Sequence, residues 1–418
     1  MPTLRVIYRE FIGFEHALAK QAEYFRQRHP DVTLEFTHSD VPPLYETMIA
    51  KNGVFTDQYD VFLCLTDWLP ELMKSGGLTR LNDDLAQDPP DGWPDGWTDS
   101  MTRLQRDRAG NIYGLPYHDG PEMFMYRTDL FDDPHEQEAF RKQTGVPLRP
   151  PETWSQFLDI ATFFTRPDDG LYGCLVAAYP DGHNTVYDFM IHLWSRGGQM
   201  LDARMRPVFN QAEGVEGLQF YVDLINVHRV VPPEVFEFES VKSGHYYAGG
   251  GSAMMWNWCG FAALAEIPEL SKIVGNNRCT VIPRGDGPNG RHMSLNIYWV
   301  MTIPSGCAQK ALAYQFLKTT ACAAMDKVTS LEGGNGTRLS TWRDPDVQRQ
   351  FRYYQMIERV HQNVESPPTI PEYPAINEVL NRAIDDALHG RKAVKQALDE
   401  AAEESEEILS KAGYYKQA

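Results

Sequence analysis

The chain has 418 residues, too many for one ordinary hydrophobic core and a natural length for two large lobes. Its 39 basic and 57 acidic residues leave a formal charge of −18, which argues against nucleic acid and anionic membrane surfaces, since both need a basic footprint. Apolar residues make up 42% and charged residues 23%, an ordinary globular balance, and no apolar run approaches the length of a membrane-spanning helix.

Residues 4–9 alternate as a strand, and Phe14, Leu18, Ala22 and Phe25 then recur at helical spacing until His29-Pro30-Asp31 breaks the pattern. Val32, Leu34 and Phe36 mark a second strand, and residues 43–52 a second helix. Tyr59 to Leu65 is nearly continuously apolar, as a strand covered on both faces should be. A third helix starts near Asp67 and stops at Gly76-Gly77. This β-α-β-α-β-α order predicts a parallel sheet with right-handed crossovers, which places ligands outside the carboxyl ends of its strands. Those ends are Arg9 to His16, His38 to Asp40 and Thr66 to Trp68.

Residues 83–100 read as a surface loop. The stretch 113–131 comes next, an extended segment kinked at Pro116 and again at Gly120-Pro121, with Tyr117, His118 and Asp119 between the breaks. It suits a chain that must pass between two bodies while presenting polar side chains. Thr153-Trp-Ser-Gln156 has the capping-box pattern and opens a helix that buries Trp154, Phe157, Leu158, Ala161 and Phe164. Helices are predicted over 184–196, 213–228, 308–325, 344–361, 374–389 and 391–412, and Leu295, Ile297, Trp299, Met301 and Ile303 alternate as one strong strand. The run Glu403 to Glu407 reads as a solvated helix face. The six cysteines are scattered without a C-x-x-C, which speaks against structural zinc and leaves buried thiols, or a single bridge such as Cys259–Cys279.

The wording of several segments, in this order, resembles the family 1 extracellular solute-binding proteins of bacterial ABC importers, the sugar-binding group. The segments are Glu23 to Phe36, Tyr59 to Trp68, Ser75-Gly-Gly-Leu78, Gly110 to Tyr117, Tyr126-Arg-Thr-Asp-Leu-Phe131, Pro151 to Phe157, Leu193-Trp-Ser-Arg-Gly-Gly198 and Ala311 to Leu317. They span nearly the whole chain. The resemblance implies a periplasmic-binding-protein-like fold: two α/β lobes joined by a multi-segment hinge, closing like a Venus flytrap on a ligand in the cleft between them. It implies capture of a carbohydrate for delivery to ABC permease subunits, by a monomer with no catalytic residues, no metal and no cofactor. Repeated passage of the chain makes each lobe discontinuous, and the expected division is 1–117 with 281–322 against 118–280 with 323–418. A periplasmic location is implied too. The opening Met1-Pro2-Thr3 runs at once into a strand without an export signal, so the chain is either cytosolic or has had its signal removed.

Sugar hydroxyls need donors and acceptors, and the C–H faces of a sugar ring need flat aromatic surface. That demand selects the candidates. Asp67 and Trp68 come just after the third strand, where the resemblance implies contact with sugar hydroxyls; otherwise Asp67 caps the next helix and Trp68 packs. Glu15 and His16 come after the first strand, or decorate an exposed first helical turn. His118 and Asp119 lie in the passing segment, where the alternative is a structural hydrogen bond holding the hinge. Trp256 and Trp258 flank Asn257 just after Gly249-Gly-Gly251, with one of the pair expected in the core and the other stacked on ligand. Asn296 alternates with the apolar set around it, facing cleft or solvent. The turn Gly333-Gly-Asn-Gly-Thr-Arg338 offers Asn335 and a cation, Arg338, that binds ligand or clamps the lobes through a carboxylate. His183 and Asn184 read as a helix entry first. Two other functions are open to the residues: a glycosidase using the carboxylates of Asp67 and Asp119, and a metal site built on His118, Asp119 and His183. Neither has a supporting motif, since the chain carries no nucleophile elbow, no P-loop and no His-Glu-x-x-His.

Overall fold

The computed structural model describes residues 1–415. Eleven strands run in chain order: β1 (Thr3–Arg9), β2 (Thr33–Ser39), β3 (Val61–Leu65), β4 (Gly114–His118), β5 (Glu122–Arg127), β6 (Tyr172–Leu175), β7 (Ser252–Trp258), β8 (Asn277–Thr280), β9 (Ser294–Leu295), β10 (Trp299–Thr302) and β11 (Val364–Glu365). The chain divides into two compact units. The first comprises Met1–Pro121, Asn296–His361 and Thr369–Pro371, and the second Glu122–Leu295, Gln362–Pro368 and the chain from Glu372 onward.

In the first unit the sheet order is β2-β1-β3-β10-β4. The first three strands are parallel, as the alternating β and α pattern requires, and β10 is antiparallel to both β3 and β4. All five residues of β3 are buried, which explains its unbroken apolar run. The helix Ile12–Arg26 buries Phe14, Ala17, Leu18, Ala22 and Phe25. It also buries Gln21, whose amide donates to Thr329 Oγ1 at 2.9 Å and to the Met325 carbonyl at 3.1 Å, while Tyr117 Oη donates to its Oε1 at 3.1 Å. That polar knot fixes the helix Ala323–Leu331 to the first unit. It is one reason the unit takes 296–361 where the sequence reading assigned it 281–322.

In the second unit the order is β6-β7-β5-β8, with β5 antiparallel to β7 and β8 and β6 parallel to β7. The helix Asn184–Ser195 is buried along its whole length. It packs with the helices Ala212–Asn226 and Tyr373–Leu388, and Val394–Lys411 lies over the latter two. The helix Trp154–Phe164 opens with Thr153 Oγ1 accepting from Gln156 N–H at 3.4 Å, and Gly197 ends Asn184–Ser195 at φ +92, a conformation that favours glycine. Glu403, Glu404 and Glu407 are exposed, as expected of a solvated face.

Several expected elements are broken in two. The single strand around Leu295–Ile303 is in fact β9, paired with β11, and then β10; both alternating sets between them are buried, so Asn296 and Tyr298 do not form a solvent face. The helix expected over 308–325 is Lys310–Thr320 followed by Ala323–Leu331, interrupted at Cys322, whose backbone is extended. The one expected over 344–361 is Pro345–Gln350 and Tyr354–His361. No disulfide forms among the described residues, Cys259–Cys279 included.

Candidate functional site

Each unit brings polar groups to one edge of its sheet. In the first unit β1 ends at Arg9, β3 runs into the turn Thr66–Trp68, β4 ends at His118, and antiparallel β10 begins at Trp299, in register with Leu65 and His118. Parallel strands that end together put Arg9, Asp67, His118 and Trp299 at a common edge. The Arg9 guanidinium carbon lies 5.7 Å from the Trp299 ring centroid, and its Nε has no hydrogen-bond partner among the described residues. Burial holds this guanidinium below its ordinary pKa. Arg9 was not singled out in the sequence, although the strand-end rule already pointed to its position.

His118 packs edge-on against Phe14, with ring centroids 4.8 Å apart, and its Nδ1 accepts from Asn335 N–H at 2.9 Å. Burial, and then the nearby Arg9 charge, pull its pKa down to about 3, so the ring is neutral and an acceptor. Asp119 is fully buried, accepting from Gly120 N–H at 2.9 Å through Oδ1 and meeting His361 Nε2 at 2.9 Å through Oδ2. Ser100 Oγ lies 2.8 Å from His361 Nδ1. These are the side chains of a hydrolytic triad, but the ring nitrogens are exchanged relative to the catalytic arrangement and Ser100 is buried, its hydroxyl also shared with Thr98 Oγ1 at 2.7 Å. The group holds structure together.

The glycine turn wraps the Asp326 carboxylate, which accepts from Thr337 N–H at 2.8 Å and Arg338 N–H at 3.1 Å. Asn335 ties that turn to the 118–119 segment: its carbonyl accepts from Asp119 N–H at 2.8 Å and its Nδ2 donates to the Asp119 carbonyl at 3.0 Å. Arg338 was expected to bind ligand or clamp the lobes. Instead its guanidinium donates to the carbonyls of Ala321 (2.8 Å) and Asp91 (2.6 Å) and lies 4.2 Å from the Trp97 ring, all within the first unit. Trp68 is packed between Tyr45, Phe62 and Trp299, with centroid distances of 5.4, 6.3 and 5.9 Å. The helix Leu69–Ser75 has Trp68 rather than Asp67 at its N-cap, and Asp67 lies in the turn Thr66–Trp68 before it. Glu15 is half-buried and His16 exposed in the first turns of Ile12–Arg26, off the buried face. Asn296 is buried, with Nδ2 3.6 Å from Met101 Sδ.

In the second unit the corresponding edge is made by the start of β5, the end of β7, the segment after β6 and the start of the helix Asn184–Ser195. Glu122 and Trp258 face each other in register across β5 and β7. Trp256 is the core member of its pair: it is 4% exposed, packs against Trp154 at 5.3 Å and Phe157 at 5.7 Å, and donates Nε1–H to Asp188 Oδ1 at 2.7 Å. Trp258 is half-buried and donates Nε1–H to Asn184 Oδ1 at 3.1 Å. Asn184 in turn donates to Asp181 Oδ2 at 2.9 Å, and Asp181 Oδ1 accepts from the backbone N–H groups of His183 and Asn184. His183 itself is exposed and makes no side-chain cap.

Two buried carboxyls, Glu122 and Asp188, line one cavity with Ser243, Asn184 and Asn257. Burial pushes Asp188 up to about 7 against the pull of its donors, and burial with the neighbouring Asp188 charge lifts Glu122 well above the usual carboxylate range. Sequence reasoning missed both. Asp188 had a signal: it is an acid in the middle of the otherwise apolar Val186-Tyr-Asp-Phe-Met-Ile191. No group of His, Cys, Asp and Glu among the described residues could hold a metal ion.

Two α/β units, each offering hydrogen-bonding side chains beside indole rings at a strand-end edge, define a ligand-capture protein of the periplasmic-binding-protein type. Residues 13–320 match the family model for bacterial extracellular solute-binding protein, and the chain belongs to that family. A mannitol-binding protein of Pseudomonas aeruginosa is 23% identical over 96% of this chain and 91% of its own. Among solved structures, a maltose-bound protein of T. maritima aligns with a TM-score of 0.84 at 22% identity, covering 98% of this chain and all (100%) of that one. A solute-binding protein of Agrobacterium radiobacter in complex with ribitol gives 0.82 at 24% identity, covering 97% and 98%.

Proposed function

We propose that the chain is the solute-capturing component of an ABC importer, that its solute is a carbohydrate or a sugar derivative such as a sugar alcohol, and that it passes the solute unaltered to membrane permease subunits. In this reading the two compact units act as the two lobes, the protein works as a monomer, and its place is the periplasm. One observation carries it: at the strand-end edge of each unit, groups able to bond hydroxyls stand beside an indole. They are Arg9, Asp67 and His118 with Trp299 in the first, and Glu122, Asn184 and Asp188 with Trp258 in the second. The mannitol-binding relative supports the choice of solute class.

The glycosidase alternative needs Asp119 as one of its two carboxylates. Each of its oxygens already has a partner, Gly120 N–H and His361, and the side chain is fully buried, which suits a structural role rather than a catalytic carboxylate presented to a substrate.

The test is a thermal-shift and calorimetric screen with D-mannitol, ribitol and maltose, with recovery of the solute afterwards. A solute present at a hundred times its Kd should stabilise the protein by about 2.7 kcal/mol and be recovered intact. Absence of a shift with every carbohydrate overturns the solute class; release of new reducing ends overturns transport without chemistry.

A further inference from the structure

Buried polar atoms without partners are uncommon, and two of them line a single cavity of the second unit. Glu122 Oε2 and Ser243 Oγ belong to side chains that are each 2% exposed, and neither atom has a hydrogen-bond partner among the described residues. The cavity has 10 Å3 of free space, about enough to seat one water or one hydroxyl group. Its wall also carries Asp188, whose carboxylate accepts from Trp256 Nε1–H at 2.7 Å and Ala177 N–H at 3.3 Å, with Tyr221 Oη 3.4 Å away. The two carboxyls are thus treated differently. Donors surround Asp188 and favour its charged form, whereas no group among the described residues donates to Glu122 Oε2. Two like charges in one buried cavity repel, and neither Lys nor Arg is among its lining residues.

We infer that Glu122 and Asp188 carry one proton between them, seated on Glu122, and that their cavity receives one neutral hydroxyl of the solute, so that the chain rejects sugar acids and sugar phosphates. This rests on the solute-capture reading above and specifies the solute class at that site. A hydroxyl both donates and accepts, so it can take a hydrogen bond from the Glu122 acid or Ser243 and give one to Asp188 or an asparagine carbonyl. A carboxylate or phosphate only accepts and would meet the Asp188 charge.

The groups that face the pair give neither carboxyl an ion pair among the described residues. Tyr221, from the helix Ala212–Asn226, donates to the Ala177 carbonyl at 2.5 Å. Asp181, just before the helix Asn184–Ser195, adds to the negative field at Asp188. His192, one turn along that helix, packs against Trp256 at 5.4 Å and is kept neutral by burial. Arg196, beyond the end of the helix, donates to the His192 carbonyl at 2.9 Å.

Two measurements on the full chain test this. The first needs no solute. At neutral pH, the infrared spectrum of the wild type should contain the C=O band of a protonated carboxylic acid, and Glu122→Gln should lose it; a band that is missing from the wild type, or that survives in the variant, overturns the inference. Asp188→Asn, which also keeps shape, serves if Glu122→Gln does not fold: one acid band should then remain, and its absence overturns the proton assignment. The second is calorimetry with matched solutes, D-mannitol against D-gluconate and maltose against maltobionate. The neutral member should bind at least about a hundredfold more tightly, and its affinity should fall by about tenfold once alkaline pH ionises Glu122. In Glu122→Gln that pH dependence should vanish. An acid that binds within about threefold of its neutral partner overturns the inference while leaving solute capture standing. Binding by none of the four overturns solute capture and the hydroxyl assignment together, a result separate from the infrared one.

Discussion

Asp119 and His361 are 242 residues apart in the chain and 2.9 Å apart in space, joined through Oδ2 and Nε2 with both side chains fully buried. Trp342 lies flat against the His361 ring at 4.5 Å, and Ser100 closes its other nitrogen. Asp119 stands two residues before the chain first leaves the first unit at Pro121, and His361 is the last residue before it leaves again. The pair therefore ties together, inside that unit, two of the points at which the chain departs. A buried pair that loses one partner leaves an uncompensated group behind, so His361→Ala or Asp119→Ala should cost about 3–5 kcal/mol in denaturant unfolding. A loss below about 1 kcal/mol would show that the pair holds nothing.

The two indoles of β7 should separate cleanly. Trp256→Ala removes a ring packed among Trp154, Phe157 and His192 and deprives Asp188 of a donor, so stability should fall by about 3–5 kcal/mol. Trp258 is half-buried, and Trp258→Ala should spare most of the stability while weakening carbohydrate affinity and abolishing the solute-induced change in tryptophan emission. If Trp258→Ala binds and responds like the wild type, the stacking surface lies elsewhere, with Trp299 the next to test.

Arg9 and Asp67 make a paired prediction in the first unit. The spare Arg9 Nε and the Asp67 carboxylate suit charged hydrogen bonds to hydroxyls, so Arg9→Ala and Asp67→Ala should each weaken solute binding by about 1.5–3 kcal/mol in calorimetry. Arg9→Ala also loses its contact with Trp299, worth about 0.5–1 kcal/mol of stability. Unchanged affinity with a lowered melting temperature would make either residue purely structural.

His118 makes stability depend on acid. Its pKa is about 3 when folded, against the ordinary 6.5, so unfolding takes up a proton between those values and its contribution is lost as pH falls through that window. His118→Asn lacks the group. The stability gap between wild type and variant should therefore narrow by about 2 kcal/mol from about pH 7 to about pH 5. Asp188 works in the opposite sense. Burial raises both it and Glu122 above the ordinary carboxylate range, so the pair holds a proton when folded that the unfolded chain has lost, and that contribution fades as pH rises from about 4 toward neutrality and beyond. Only the variant comparison separates the two, and a gap that stays constant with pH would show that His118 is not kept neutral by the fold.

The sequence by itself determined the features that local patterning encodes. Alternation gave β1 and β2, the buried run gave β3, and helical spacing gave the face of Ile12–Arg26 and most of that of Trp154–Phe164, where Ile160 is buried and Leu158 only half-buried, because a two-sided strand or amphipathic helix writes its period into neighbouring residues. The strand-end rule then located part of the first unit's edge before any coordinates, Arg9 and Asp67 among it, and the kinked passing segment marked His118. Tertiary structure decided the pairings between distant segments. That Arg338 is engaged by Asp91 and Ala321, that Trp256 rather than Trp258 is the core ring, and that Asp119 meets His361 are facts of packing, invisible to a local window. The same holds for Glu122 and Asp188. Each looked like one acid among 57, and only burial in a common cavity, where two charges cannot both persist, gives the pair its chemistry.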